Sequence, residues 1–193
     1  MANLHFFYGT MGAAKSTKLI QDRYNFIQKN MNVLVIKPTV DRDNEEKVKA
    51  RIGLECPAEI HEHIDWIDVL QRNVIYDVIM VDEVQFYKPK DIDNLVKLAD
   101  TYNKLVFCYG LKVDVNENLF PASAHLIAVG AKLHELTCSC QNPNCQRLAT
   151  HHLRFNKDGK VIRNGESVVV DNGSVIYKSV CRQCYDRAMN KTR

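Results

Sequence analysis

The sequence predicts an α/β fold, a mainly parallel sheet with helices on both faces, followed by a small cysteine-bearing C-terminal domain. Three observations predict it. Residues 9–17, GTMGAAKST, carry the phosphate-loop spacing G-x-x-x-x-G-K-[ST], with alanine in place of the second glycine. Apolar runs of strand length alternate with segments whose apolar residues recur at helical spacing as far as Val129. Beyond them lie Cys138, Cys140 and Cys145, and then a C-x-x-C at Cys181 and Cys184.

The elements follow in order. Residues 4–8 are apolar and aromatic enough for a buried first strand, and residues 18–28 form a helix with Leu19, Ile20, Tyr24 and Ile27 at helical spacing. Residues 33–38 form the second strand. The charged run at 41–51, DRDNEEKVKAR, has no periodic apolar face and is expected to be a solvated loop. A helical piece covers residues 65–71. Residues 74–81, VIYDVIMV, are expected to be a strand buried on both faces. A helix over 92–102 places Ile92, Leu95, Val96, Leu98 and Ala99 on its core side, residues 105–109 form the next strand, and a further helix runs through Leu126, Ile127 and Val129. This order puts the phosphate loop at the carboxyl edge of the first strand. Residues 1–135 are expected to form the P-loop NTPase-type domain and residues 136–193 the second, smaller one.

A strand, a glycine-bearing loop and a helix in this order make an anion cradle. Backbone N–H groups from Gly9, Thr10, Met11, Gly12, Ala13 and Ala14 to Thr17 gather at the helix N-terminus, Lys15 reaches the outer phosphates of ATP, and the Ser16 hydroxyl sits on Mg²⁺. Ala14 costs little only if its φ is negative. The strand at 74–81 ends in Asp82-Glu83, so two acids open into the crevice at the end of a parallel strand. Asp82 suits the magnesium, and Glu83 suits a base that takes a proton from an attacking hydroxyl.

Length and charge exclude other classes. At 193 residues with a formal net charge of +3, the chain has room for one α/β core and an appendage and shows no basic block that would bind nucleic acid. Its apolar runs are strand-sized, which predicts no membrane span and a cytoplasmic protein. An ATP-using enzyme works in a reducing compartment, so clustered cysteines point to a metal before disulfides. Cys56 and Cys108 are expected to be free buried thiols. Two cysteine pairs at such spacing suit a closed tetrahedral Zn²⁺ site, with Cys181 and Cys184 as one pair and two of Cys138, Cys140 and Cys145 as the other. His151 and His152 are expected to be ordinary strand residues.

Together, residues 9–17, Asp82-Glu83-Val84-Gln85-Phe86, Tyr109-Gly110-Leu111 and Cys181-Arg182-Gln183-Cys184 resemble the cytosolic, type II thymidine kinases in order and spacing over nearly the whole chain. The resemblance implies transfer of the ATP γ-phosphate to the 5′-hydroxyl of thymidine or deoxyuridine, with Glu83 as base, Asp82 and Ser16 on magnesium, and Val84 and Gln85 beside the nucleotide. Reading from the family's flanking residues, the first two zinc ligands fall on Cys140 and Cys145, in a C-x4-C arrangement that leaves Cys138 as an alternative. The stretch between the cysteine pairs matches the family's lasso, in which Val168 and Val170 would touch the base and Tyr177 the sugar. Met11, Phe86, Leu111, Phe120 and Thr150 match the wall and floor around thymine. Asp41 and Arg42 match a D-R element of a loop near the substrate, and Asp41 is a substrate candidate on that ground. Val115 departs from the family's usual phenylalanine, which implies a looser pocket. A homotetramer and feedback inhibition by dTTP are further implications. Two other classes share a phosphate loop: a zinc-containing P-loop ATPase acting on nucleic acid, which would want basic loops and a larger chain, and a nucleotide-binding regulator that binds without turnover.

Overall fold

The computed structural model describes residues 3–39, 45–72, 75–163 and 175–191. In chain order its elements are β1 (Leu4–Gly9), α1 (Lys15–Ile27), β2 (Val33–Lys37), β3 (Lys47–Lys49), β4 (Glu55–Pro57), β5 (Glu59–Ile60), α2 (Trp66–Leu70) and β6 (Val78–Val81). A single 3-10 turn (Val84–Phe86) leads to α3 (Pro89–Asp100), β7 (Leu105–Gly110), α4 (Pro121–Ala128), β8 (Lys132–Leu136), β9 (His151–Phe155), β10 (Ile176–Val180) and α5 (Arg182–Met189). Six strands form one sheet in the order β5-β2-β6-β7-β1-β8, and every pairing in it is parallel. This is the α/β architecture that the alternation predicts.

The strands read as apolar runs because both faces of the sheet are covered. In β6, Ile79 and Val81 join a cluster with Ile92, Leu95 and Leu98 of α3 and Ala122 and Leu126 of α4. Val78 and Met80 face the other way, into a cluster with Leu19 of α1. Phe6 and Phe7 of β1 divide between the same two layers.

Three local readings are corrected. The Asp82 strand begins at Val78 rather than at residue 74, because Asp77 turns its carboxylate to the Asn32 N–H at 2.8 Å and Ile75 is 72% exposed; Val74 lies outside the described residues. Part of the charged run forms a hairpin, in which Val48 of β3 and Cys56 of β4 lie opposite each other and are both buried under the α1 side of the sheet. The β8 strand has no counterpart in the pattern. Among the described residues it is an edge strand paired only with β1, and Lys132, Leu133 and Glu135 are exposed, so KLHEL needs no apolar period.

After β8 the chain forms an antiparallel β9–β10 pair with α5 behind it. These elements have their own buried cluster of Cys140, Leu153, Val180, Cys181, Cys184 and Tyr185. Among the described residues no helix is long and apolar enough to cross a membrane.

Candidate active site

The loop from Gly9 to Ala14 leaves the end of β1 and enters α1. Glycine is required at Gly9 because a Cβ there would stand 2.3 Å from the Leu136 carbonyl oxygen of the neighbouring β8. A bond from the Ala13 N–H to the Thr10 carbonyl, 3.1 Å, closes the turn. Ala14 is the residue preceding α1 and has φ 58° and ψ 30°. The condition for a cost-free alanine is therefore not met: in this left-handed region the Cβ meets the following carbonyl, a strain of about 1–2 kcal/mol that glycine would not carry.

Lys15 is buried, and its Nζ donates to the carbonyls of Thr10 at 3.0 Å and Gly9 at 3.5 Å. Burial lowers its pKa, against the pull of the nearby Glu83 and Asp82 carboxylates. The Ser16 hydroxyl donates to Asp82 Oδ2 at 3.4 Å. These two residues meet although β7 lies between β1 and β6, so the acid strand is not the loop strand's immediate neighbour. Thr17 is half-buried in the first turn of the same helix.

Asp82 and Glu83 are adjacent but differently housed. Asp82 is buried, whereas Glu83 is half-buried and adopts φ 48°, a left-handed conformation uncommon for a side chain of its size and often found at functional sites. The turn that follows places Val84 in the core and Gln85 under Glu83. Gln85 donates from Nε2 to Glu83 Oε2 and accepts the Leu111 N–H at 2.9 Å through Oε1. Gly110 makes room for this: a Cβ there would lie 2.5 Å from Gln85 Oε1. The Leu111 carbonyl in turn accepts from the Ser123 hydroxyl at 2.6 Å. Of the residues matched to the thymine pocket, Phe86 and Phe120 meet edge to face, ring centroids 6.4 Å apart, and Leu111 is buried.

Met11 is gripped from the other side. Its N–H donates to His152 Nε2 at 2.9 Å, and its carbonyl accepts from the Ser179 hydroxyl. His152 on β9 and Ser179 on β10 are register partners, and Tyr177, two residues before Ser179, lies on the same face of its strand. Thr150 is exposed just ahead of β9, with its N–H on the Val180 carbonyl. Burial, and then the charges of Lys15 and His151, depress the His152 pKa to about 3, so the ring is neutral. His152 is thus more than an ordinary strand residue, and neither it nor Ser179 carries a sequence signal, since their contacts span 141 and 168 positions. Asp41, Arg42, Val168 and Val170 lie outside the described residues.

Four sulfurs, those of Cys140, Cys145, Cys181 and Cys184, all lie within 4.8 Å of one another. A tetrahedral zinc with bonds of about 2.3 Å spaces its sulfurs about 3.8 Å apart, and the Cys145–Cys181 separation is 3.7 Å. The Cys181 N–H points to Cys140 Sγ at 3.3 Å and the Asn142 amide to Cys184 Sγ at 3.1 Å, the second-sphere support that thiolate ligands use. Burial pushes the Cys181 thiol up, but the Cys184 N–H and the neighbouring sulfurs outweigh it and bring it down to about 7. This donor set fits zinc. Cys138 stands apart, its Sγ 3.2 Å from Thr10 Oγ1 beside the phosphate loop. Cys56 and Cys108 are free and buried.

The thymidine kinase family model matches residues 2–185. Among similar proteins, the thymidine kinase of Shewanella oneidensis is 37% identical over 188 residues, covering 95% of this chain and 96% of the relative. That of Rhodopirellula baltica is 38% identical over 194 residues, 98% and 90% of the two chains. That of Yersinia pseudotuberculosis is 36% identical over 194 residues, 98% and 97%. With a phosphate loop, an acidic pair and a four-cysteine cluster placed as described and a match along nearly its whole length, this chain belongs to the thymidine kinase family.

Proposed function

We propose that the protein is an ATP:thymidine 5′-phosphotransferase whose base is Glu83 and whose donor site is the loop from Gly9 to Thr17. The observation that carries this reading is the division of labour in the acidic pair. Asp82 turns to the Ser16 hydroxyl at the start of α1, and Glu83 is held by Gln85 against the backbone that leads to the thymine wall. Ser16 and Asp82 are the residues that would hold Mg²⁺, which would neutralise charge on the transferring phosphoryl oxygens. Lys15 exchanges its contacts with the loop carbonyls for phosphate oxygens. As the bond from the γ-phosphorus to the β,γ-bridging oxygen breaks, the thymidine 5′-oxygen forms a bond to that phosphorus, and its proton passes to Glu83. The products are ADP and dTMP. Deoxyuridine is a second acceptor.

Phe86, Leu111, Phe120, Met11 and Thr150 border the base, and the family resemblance assigns Val168, Val170, Tyr177 and Asp41 to the substrate as well. Cys140, Cys145, Cys181 and Cys184 would hold Zn²⁺, which would tie the chain ahead of β9 to the start of α5. Residues 136–193 form this second unit and residues 1–135 the first, a division supported by the separate buried cluster behind β9 and β10. Family membership supports a cytoplasmic homotetramer inhibited by dTTP and argues against action on nucleic acid or a role without turnover.

ADP release measured with and without thymidine tests the reading. Release that rises on adding thymidine, with dTMP formed in equal amount, is expected. ATP hydrolysis indifferent to thymidine, or stimulated by DNA, would overturn it.

A further inference from the structure

We infer that His152 is a positioning residue for the phosphate loop, acting with Ser179 as a clamp on both backbone groups of Met11. The loop is poorly determined by its own residues. Gly12 has φ 82° and Ala14 φ 58°; the backbone bond that closes it runs from the Ala13 N–H to the Thr10 carbonyl, and Lys15 Nζ adds side-chain bonds to the Gly9 and Thr10 carbonyls, short of Met11. Met11, between these points, is held from outside: its N–H by His152 Nε2 at 2.9 Å and its carbonyl by the Ser179 hydroxyl. Both partners are buried, and they lie opposite each other on paired strands.

An N–H aimed at a histidine is not aimed at a phosphate, and the Ala13 N–H is already on the Thr10 carbonyl, so the clamp leaves the nucleotide to the amides of Gly12 and of Ala14 onward. It also selects the histidine tautomer. Nε2 must present its lone pair, which puts the proton on Nδ1. A positively charged ring has no lone pair to offer and would stand near Lys15. Strand β10 runs directly into the cysteine cluster, Ser179 lying two residues before Cys181, and β9 starts six residues after Cys145, so the loop takes its position from the C-terminal hairpin.

The inference rests on the kinase reading for its turnover assay and on ATP binding alone for its second readout. His152→Leu removes the acceptor at similar size, whereas His152→Gln returns an oxygen near the Nε2 position. The leucine variant is expected to raise KM and Kd for ATP about tenfold, the effect of leaving one buried donor unmatched. Zinc content should stay close to that of the parent, and the glutamine variant should regain most of the ATP affinity. A folded, zinc-bearing leucine variant with unchanged KM for ATP, or a glutamine variant as impaired as leucine, overturns the clamp. If the leucine variant fails to fold, Ser179→Ala reads the other half, and unchanged ATP binding there overturns the clamp equally. A parent protein that binds ATP but shows no thymidine-dependent turnover would sink the kinase reading and leave the binding comparison to judge the clamp.

Discussion

Gln85 donates a hydrogen bond from Nε2 to the Glu83 carboxylate while its Oε1 holds the Leu111 N–H, so the proposed base is oriented by the same amide that ties down Leu111 of the proposed thymine wall. Glu83→Gln keeps the shape and removes the base, and it is expected to lower kcat by about 10²–10⁴-fold with ATP and thymidine binding nearly intact. Gln85→Leu leaves the base present but unheld. A fall in kcat of about tenfold with little change in KM for ATP is expected there, the scale of one lost orienting bond. Steady-state kinetics on both variants checks this, and near-normal turnover in Glu83→Gln removes the assignment.

Ala14→Gly should stabilise the fold. The left-handed φ of 58° strains alanine, and glycine relieves that strain while losing more entropy on folding, for a net gain of about 1 kcal/mol. Urea unfolding of the two proteins measures it. A less stable glycine variant would show that Ala14 is accommodated without strain.

One zinc per chain is expected by elemental analysis, with metal–sulfur distances of about 2.3 Å by X-ray absorption. Cys140→Ser and Cys145→Ser should each lower the bound zinc sharply. Cys138→Ser should keep it, because Cys138 faces Thr10 rather than the other sulfurs. Zinc loss in that last variant would reassign the ligand.

The buried histidine should mark the pH dependence of stability. His152 has a folded value near 3 against an ordinary 6.5, so as pH falls through 6.5 the unfolded chain takes up the proton and the folded one does not. Stability from this group is therefore complete above 6.5 and is lost progressively as pH falls toward 3. Between pH 7 and 5 the parent should lose about 2 kcal/mol more than His152→Gln. Urea titrations of both proteins at the two pH values give the difference, and equal losses would place the ring's proton elsewhere.

The family resemblance implies an aromatic ring in place of Val115, whose backbone carbonyl accepts from Tyr185 at 2.7 Å. Losing a ring from a pocket of this kind changes selectivity by about 1–3 kcal/mol. Thymidine and deoxyuridine should both be phosphorylated and deoxycytidine poorly. Comparing kcat/KM for the three nucleosides decides it, and a preference for deoxycytidine or a deoxypurine would overturn the substrate assignment alone.

The sequence by itself determined the elements whose signals are local. The spacing of Gly9, Lys15 and Ser16 after an apolar strand and before a helical period specifies a strand, a tight turn and a helix N-terminus, because that arrangement needs only local signals. The run VIMV followed by two acids specifies a doubly buried strand opening at its carboxyl end, and α/β order follows from the alternation. The β8 strand escaped because an edge strand with one partner keeps no apolar period.

Tertiary structure decided what depends on which distant strands pair. The register of Gly9 against Leu136 carries the chain on past the loop, so Cys138 ends beside Thr10 while Cys140 reaches the other three sulfurs; spacing alone left these cysteines equivalent. The β9–β10 register sets His152 beside Ser179, and their approach to Met11 turns two unremarkable strand residues into part of the loop. The sign of φ at Ala14 was likewise set by loop closure rather than by residue type, since alanine by itself prefers the opposite sign. Hydrophobic period and motif spacing encode neighbours a few residues apart, whereas these contacts exist only once the sheet has chosen its order.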